Sequence, residues 1–204
     1  KVIASDCLAK LPIRETVIER LGLLGCQAPE SSTAMSEERF WEIVDLANPY
    51  ERIYAPQAHA DRLIEVLKAL SDRDRRLFEN FRDSLSSQIY TFEMATAASI
   101  VGTGCGDDSF GEFCNALIYR GREVFYNVLK NPEEALLNLD GAHYLLLEGF
   151  TYLSEIVDKQ RLNSDDALLP ARPSCLWPSA GFGGVPIDDE EKAFRKCFPK
   201  LSKK

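Results

Sequence analysis

The chain has little histidine. His59 and His143 are the only two in 204 residues. Multi-histidine metal centres are therefore nearly ruled out, and a Ser-His-Asp or Cys-His system would have to use one of these two. His143, flanked by Tyr144 and Leu145, reads as a packed, hydrogen-bonded histidine. The chain also lacks a G-x-S-x-G elbow, a G-x-G-x-x-G fingerprint and a P-loop. No apolar run approaches the roughly 20 residues of a membrane-spanning helix. No basic stretch followed by an apolar one opens the chain, and its first residue, Lys1, leaves a processed start open. The six cysteines, Cys7, Cys26, Cys105, Cys114, Cys175 and Cys197, form no C-x-x-C and match no zinc framework. Scattered in this way, they read as small buried hydrophobes in a reducing, cytoplasmic protein, although an even count leaves disulfides open. Positive charge is short as well: 24 Lys and Arg stand against 32 Asp and Glu, a net charge of −8. That balance argues against a nucleic acid or an anionic membrane as partner. It suits a basic protein, because opposite fields speed encounter.

What the sequence does carry is helical periodicity. Ile13, Val17, Leu21 and Leu24 give one amphipathic segment after Pro12, followed by the polar "CQAPESSTAMS". Residues 1–35 thus read as an N-terminal helical appendage and linker, and residues 36–201 as a single domain. Ser36 is an N-cap for "EERFWEIVDLAN", with Phe40, Ile43, Val44 and Ala47 as its buried stripe. Pro56 suits a first helical position. Ser71, with Asp74 as an acidic capping-box variant, opens a helix whose stripe of Leu77, Phe81, Leu85, Ile89, Phe92 and Thr96 runs to about residue 100. At about 1.5 Å per residue it would span on the order of 40 Å as a central strut. Phe110, Phe113, Leu117, Gly121, Val124 and Val128 predict another helix, with Gly121 allowing a neighbour to approach closely. Asp140 caps a last long helix through Leu145, Leu153, Ile156 and Val157. Residues 161–187 lose the period and form a long loop that carries Leu176, Trp177 and Phe182. Phe194, Cys197, Phe198 and Leu201 predict a short terminal helix behind Asp188 and Glu191. The fold class is all-α, a compact domain of roughly five to seven helices.

Three stretches could carry chemistry. In "GTGCGDDSF", residues 102–110, Asp107, Asp108 and Glu112 could gather a divalent cation, perhaps for hydrolysis. The competing reading is structural. Ser109 and Glu112 have capping-box spacing before an apolar run, and acids suit a helix N-terminus. The structural reading accounts for every residue and is preferred. In "FWEIVD", Glu42 and Asp45 share a helix face as paired ligands or, more simply, as a solvated acidic face. In "YRGREVF", Arg120, Arg122 and Glu123 could grip a carboxylate or phosphate, or could be surface ion pairs.

Together these motifs bring a resemblance. "FWEIVD", "GCGDDSFGEF" joined to "LIYRGREVF", "NPEEAL" and "FPKL" resemble a bacterial helical domain family of unknown function. That family has an FWxxI/V opening and a GCxDDxFxxFxxxLIxxGxExF centre, and some members stand beside WGR domains. The resemblance covers roughly residues 36–201 and implies a compact helical domain. It brings no activity and no catalytic residue.

The functional expectation is a non-enzymatic protein-interaction module, in one form an immunity-type inhibitor of a basic protein. Trp177, Phe182, Arg122 and Glu123 are its expected partner-binding residues. The alternative is a divalent-metal site at Asp107, Asp108 and Glu112. No other cofactor is expected.

Overall fold

The caps read from the sequence set the helix starts in the computed structural model, which describes residues 34–48, 56–101, 107–139, 150, 153–162, 196 and 198–203. Extended Ser36 accepts a hydrogen bond from the Arg39 amide at 3.2 Å, and α1 follows as Glu37–Ala47. Pro56 opens α2, Pro56–Ala69. Ser71 accepts from the Asp74 amide at 3.0 Å, its hydroxyl donates to Asp74 Oδ2 at 2.7 Å, and α3 is Asp72–Ile89. Such caps contribute about 1 kcal/mol each. Next come α4 (Phe92–Val101), α5 (Asp107–Tyr119), α6 (Arg122–Lys130), α7 (Pro132–Asn138) and α8 (Leu153–Leu162). Asn131 caps α7, and Pro132 occupies its first position. A 3-10 turn, Leu201–Lys203, closes the chain, with Glu133 Oε1 accepting from the Lys200 and Leu201 amides. The class is all-α, and the described residues contain no strand.

The described residues form eight α-helices rather than five to seven, because two runs that read as single helices divide. The expected 71–100 strut breaks at Tyr90. Its φ of −72° and ψ of 71° make an inverse γ-turn, closed by the Thr91 amide on the Ile89 carbonyl at 2.6 Å. Thr91 then caps α4, its hydroxyl accepting from the Met94 amide at 3.2 Å. The longest helix among the described residues is therefore the 18-residue α3.

The second run divides at Gly121, whose φ of 100° and ψ of 168° only glycine adopts at low cost. An added Cβ would lie 3.5 Å from Asn48 Nδ2 and 3.6 Å from Asp45 Oδ1, which is ordinary contact. Backbone conformation, rather than the close helix approach expected from the sequence, is what requires glycine here. The expected Ser109–Glu112 capping box also fails. Helix α5 begins at Asp107, so Ser109 lies inside its first turn and not ahead of it. Phe150 sits in a bend and is not helical, while Leu145 lies outside the described residues. Helix α8 runs to Leu162, so the expected 161–187 loop starts no earlier than residue 163; residues 1–33 of the 1–35 appendage, residues 163–187, the Asp188–Glu191 cap and His143 lie outside the described residues.

The core is a line of aromatic rings drawn from several helices. Trp41 meets Phe40 edge-on at 5.0 Å, Phe40 stacks on Phe78 at 4.6 Å, and Phe78 lies parallel to Tyr119 at 6.4 Å. Tyr119 contacts Phe150 at 5.6 Å, and Phe150 contacts His59 at 5.4 Å. Such pairs add about 0.5–1.5 kcal/mol each beyond their buried area. Around this line α1 packs on α2 and α3, α2 on α8, and α3 on α5. A polar seam joins α3 to α8 in antiparallel register. Its rungs are Asp72 with Arg161 (2.6 Å), Arg75 with Asp158, and Glu79 with Ser154.

Candidate functional site

Two of the three sequence motifs meet. In "FWEIVD" the apolar letters Phe40, Trp41, Ile43 and Val44 are buried, which leaves Asp45 on the flank of α1. In "YRGREVF" Tyr119 and Phe125 are buried, and Gly121 makes the turn between α5 and α6. The apolar residues fix both segments to the core, and Asp45, Arg120, Arg122 and Glu123 face a common cleft of about 560 Å³. Asp45 and Asn48 line it from α1 and its C-cap. Arg120, Arg122, Glu123, Tyr126 and Asn127 line it from the turn and α6. A long contact of 3.5 Å from Asn48 Nδ2 to the Arg120 carbonyl closes its floor. A second groove of about 660 Å³ continues along α6 towards α7 and shares Glu123, Val124 and Asn127.

Charges in the cleft are unevenly committed. Arg122 is half exposed and pairs with Glu37 Oε1 at 3.0 Å. The same oxygen accepts from the Tyr126 hydroxyl at 2.8 Å and from Trp41 Nε1 at 3.2 Å. The Tyr126 hydrogen bond holds the Glu37 carboxyl below the usual carboxylate range. Burial opposes that shift, while Trp41 and Arg122 reinforce it. Asp45 has no such support. Its carboxylate has no hydrogen-bond or ion-pair partner among the described residues, and burial alone pushes its pKa up. Glu123 is exposed and likewise unpaired among the described residues.

The other expected sites fall elsewhere. Glu42 is exposed and pairs with Arg39 at 3.3 Å, so it does not join Asp45 as a ligand pair. Asp107 and Asp108 begin α5, but their side chains lie outside the description, and Glu112 is buried in the same helix. Among the described residues no three His, Cys, Asp or Glu side chains are grouped to hold a metal ion. Cys114 is buried. Cys105, Trp177 and Phe182 lie outside the described residues. His59 is fully buried, and its pKa is pushed down to about 4 by burial first, then by the charges of Arg120 and Arg62.

Sequence reasoning missed Tyr126. It is the one large hydrophobic residue exposed among those described, at 37%. Its signal was its place four residues after Arg122, on the side of α6 away from Val124 and Val128.

A family model described as protein of unknown function (DUF4240) matches residues 35–156, and the chain belongs to that family. No curated protein and no solved structure matches the chain. Among the described residues no helix is long and apolar enough to cross a membrane.

Proposed function

We propose that this DUF4240 chain is a non-enzymatic protein-interaction module that receives a basic partner protein on α6 and the cleft beside it. The observation that carries the reading is the state of Tyr126. Its ring is exposed, yet its hydroxyl is tied to Glu37 at 2.8 Å. Its ring also rests 6.1 Å from Trp41 and 5.1 Å from Phe125. An aromatic side chain already held in place loses little conformational freedom on binding. Tyrosine and arginine are also among the commonest anchors of protein interfaces, and here Tyr126 and Arg122 stand one turn apart on the same helix. The net charge of −8 and the uncommitted carboxylates favour a basic partner.

Capture from the source organism's lysate, followed by cross-linking, tests this. The wild-type chain is expected to recover a stoichiometric partner. Tyr126→Ala is expected to lose at least about tenfold of that recovery, the usual cost of a lost anchor, while keeping its helical spectrum. Full recovery by Tyr126→Ala, or repeated absence of any partner with the wild type, overturns the proposal.

A further inference from the structure

This inference rests on the interaction reading and names what the cleft takes. We infer that the cleft between α1 and the α5–α6 turn receives one arginine side chain of the partner protein, with Asp45 as its counter-ion. Three observations on the cleft converge on a guanidinium. First, the negative charge there is unspent while the positive charge is not. Asp45 and Glu123 have no internal partner among the described residues, whereas Arg122 is held by Glu37 at 3.0 Å and Arg120 is also engaged. Second, Asp45 is exposed at the cleft wall, yet the atoms around it remove part of its carboxylate's hydration and raise its pKa with nothing in return. An incoming cation would restore what burial removed. Third, the other groups suit a planar fork of donors. Asn48 spends its Nδ2 on the Arg120 carbonyl at 3.5 Å, which leaves its Oδ1 as an acceptor. Asn127 lines the same wall, and the Tyr126 ring at the rim offers a face on which a guanidinium stacks. A volume of about 560 Å³ accommodates a single long side chain and its waters, not a folded element.

The direct test is a titration of the full chain, followed by amide resonances, with the peptide acetyl-Gly-Arg-Gly-amide. The same peptide with lysine or citrulline in place of arginine serves for comparison. The arginine peptide is expected to shift the Asn48, Gly121 and Glu123 amides. Asp45→Asn is expected to weaken it at least about tenfold and Glu123→Gln by a smaller factor, as loss of a charge-assisted pair outweighs loss of a rim charge. Citrulline should leave these amides unmoved, and lysine should bind more weakly than arginine. No shift in the wild type overturns the inference. So does equal movement by citrulline, equal affinity for lysine, or undiminished affinity in Asp45→Asn. Among the described residues Asp45 makes no hydrogen bond or ion pair through its carboxylate that the amide would break, so this variant is expected to keep the wild-type spectrum away from the cleft.

Partner capture separates this inference from the reading beneath it. Asp45→Asn recovering the partner in full while Tyr126→Ala loses it sinks the arginine receptor and leaves the interaction module standing. Full recovery by both variants sinks the two together.

Discussion

The Tyr126 hydroxyl donates to Glu37 Oε1 at 2.8 Å, joining α6 to the first turn of α1 across 89 residues of sequence. This contact both orients the exposed ring and lowers the Glu37 pKa. Both groups keep part of their surface in solvent, so screening limits its strength. A double-mutant cycle of Tyr126→Phe with Glu37→Gln is expected to give a coupling of about 0.5–1 kcal/mol at neutral pH. The sign of its pH dependence follows from the lowered pKa. The contribution is complete above the ordinary carboxylate value of 4.5 and is lost as pH falls through the lower folded value. Urea denaturation of the four proteins at neutral and acid pH checks it, and a coupling that persists once Glu37 is protonated would contradict it.

His59 sets a different pH window. Folded, it stays neutral down to about pH 4; unfolded, it takes up a proton near 6.5. The unfolded state therefore binds the extra proton between those values, and stability falls as pH drops from 6.5 towards 4. The full loss is on the order of 3 kcal/mol from the separation of the two values. Glu37 acts below the interval from pH 6.5 to 5, so the comparison with His59→Gln is made there. In that interval His59→Gln is expected to flatten the slope of unfolding free energy against pH, whatever its absolute stability. An unchanged slope would remove His59 as the source.

The helix starts were legible because capping is local. Ser36 and Ser71 carry their own hydrogen bonds within four residues, whereas the start read at Ser109 falls at Asp107. The breaks at Tyr90 and Gly121 were not legible, because the apolar stripe keeps its period straight through both. Ile89 to Phe92 is a step of three and Leu117 to Gly121 a step of four, while the turn itself lives in dihedral angles. The site behaved in the same way. Arg122 and Glu123 stand out by type and spacing, but their meeting with Asp45 depends on how α1 lies beside the α5–α6 turn. Helical spacing pairs Asp45 with Glu42, whereas Glu42 turns to Arg39 at 3.3 Å. Tyr126 follows buried Phe125, and its exposure is decided by which face of α6 the core takes.

Gly121 separates strain from crowding. Space for a Cβ exists, so Gly121→Ala should destabilise through its φ of 100° alone, by about 1–3 kcal/mol. Asparagine, which tolerates the left-handed helical region, gains nothing at a ψ of 168°. Gly121→Asn is therefore expected to cost at least as much as Gly121→Ala in chemical denaturation. Near-neutral stability for either variant would mean the turn can take another conformation, and the cleft with it.

The seam between α3 and α8 yields the sharpest energetic test. Arg75 and Asp158 are paired with only 7% and 8% of their side chains exposed, while Asp72 and Arg161 at the end of the seam are 64% and 39% exposed. Arg75 also reaches the exposed Asp72 at 3.3 Å, so Asp158→Leu leaves the buried guanidinium with only that solvated partner and is expected to cost roughly 3 kcal/mol. Arg161→Ala, at the exposed rung, should cost about 1 kcal/mol or less. The double variant Arg75→Met with Asp158→Leu removes both charges and should recover most of the loss, because hydrophobic replacement of a buried pair is often neutral or better. The pair's remaining role would be register. With alternating rungs Asp72–Arg161, Arg75–Asp158 and Glu79–Ser154, a slide of α8 by one turn sets Asp158 against Glu79 or Asp72, bringing like charges together. Amide exchange in α8 reads that role separately from stability. Faster exchange there in a double variant of near wild-type unfolding free energy identifies a pair that specifies position. A double variant as unstable as Asp158→Leu would mean instead that the ion pair itself holds α8 in place.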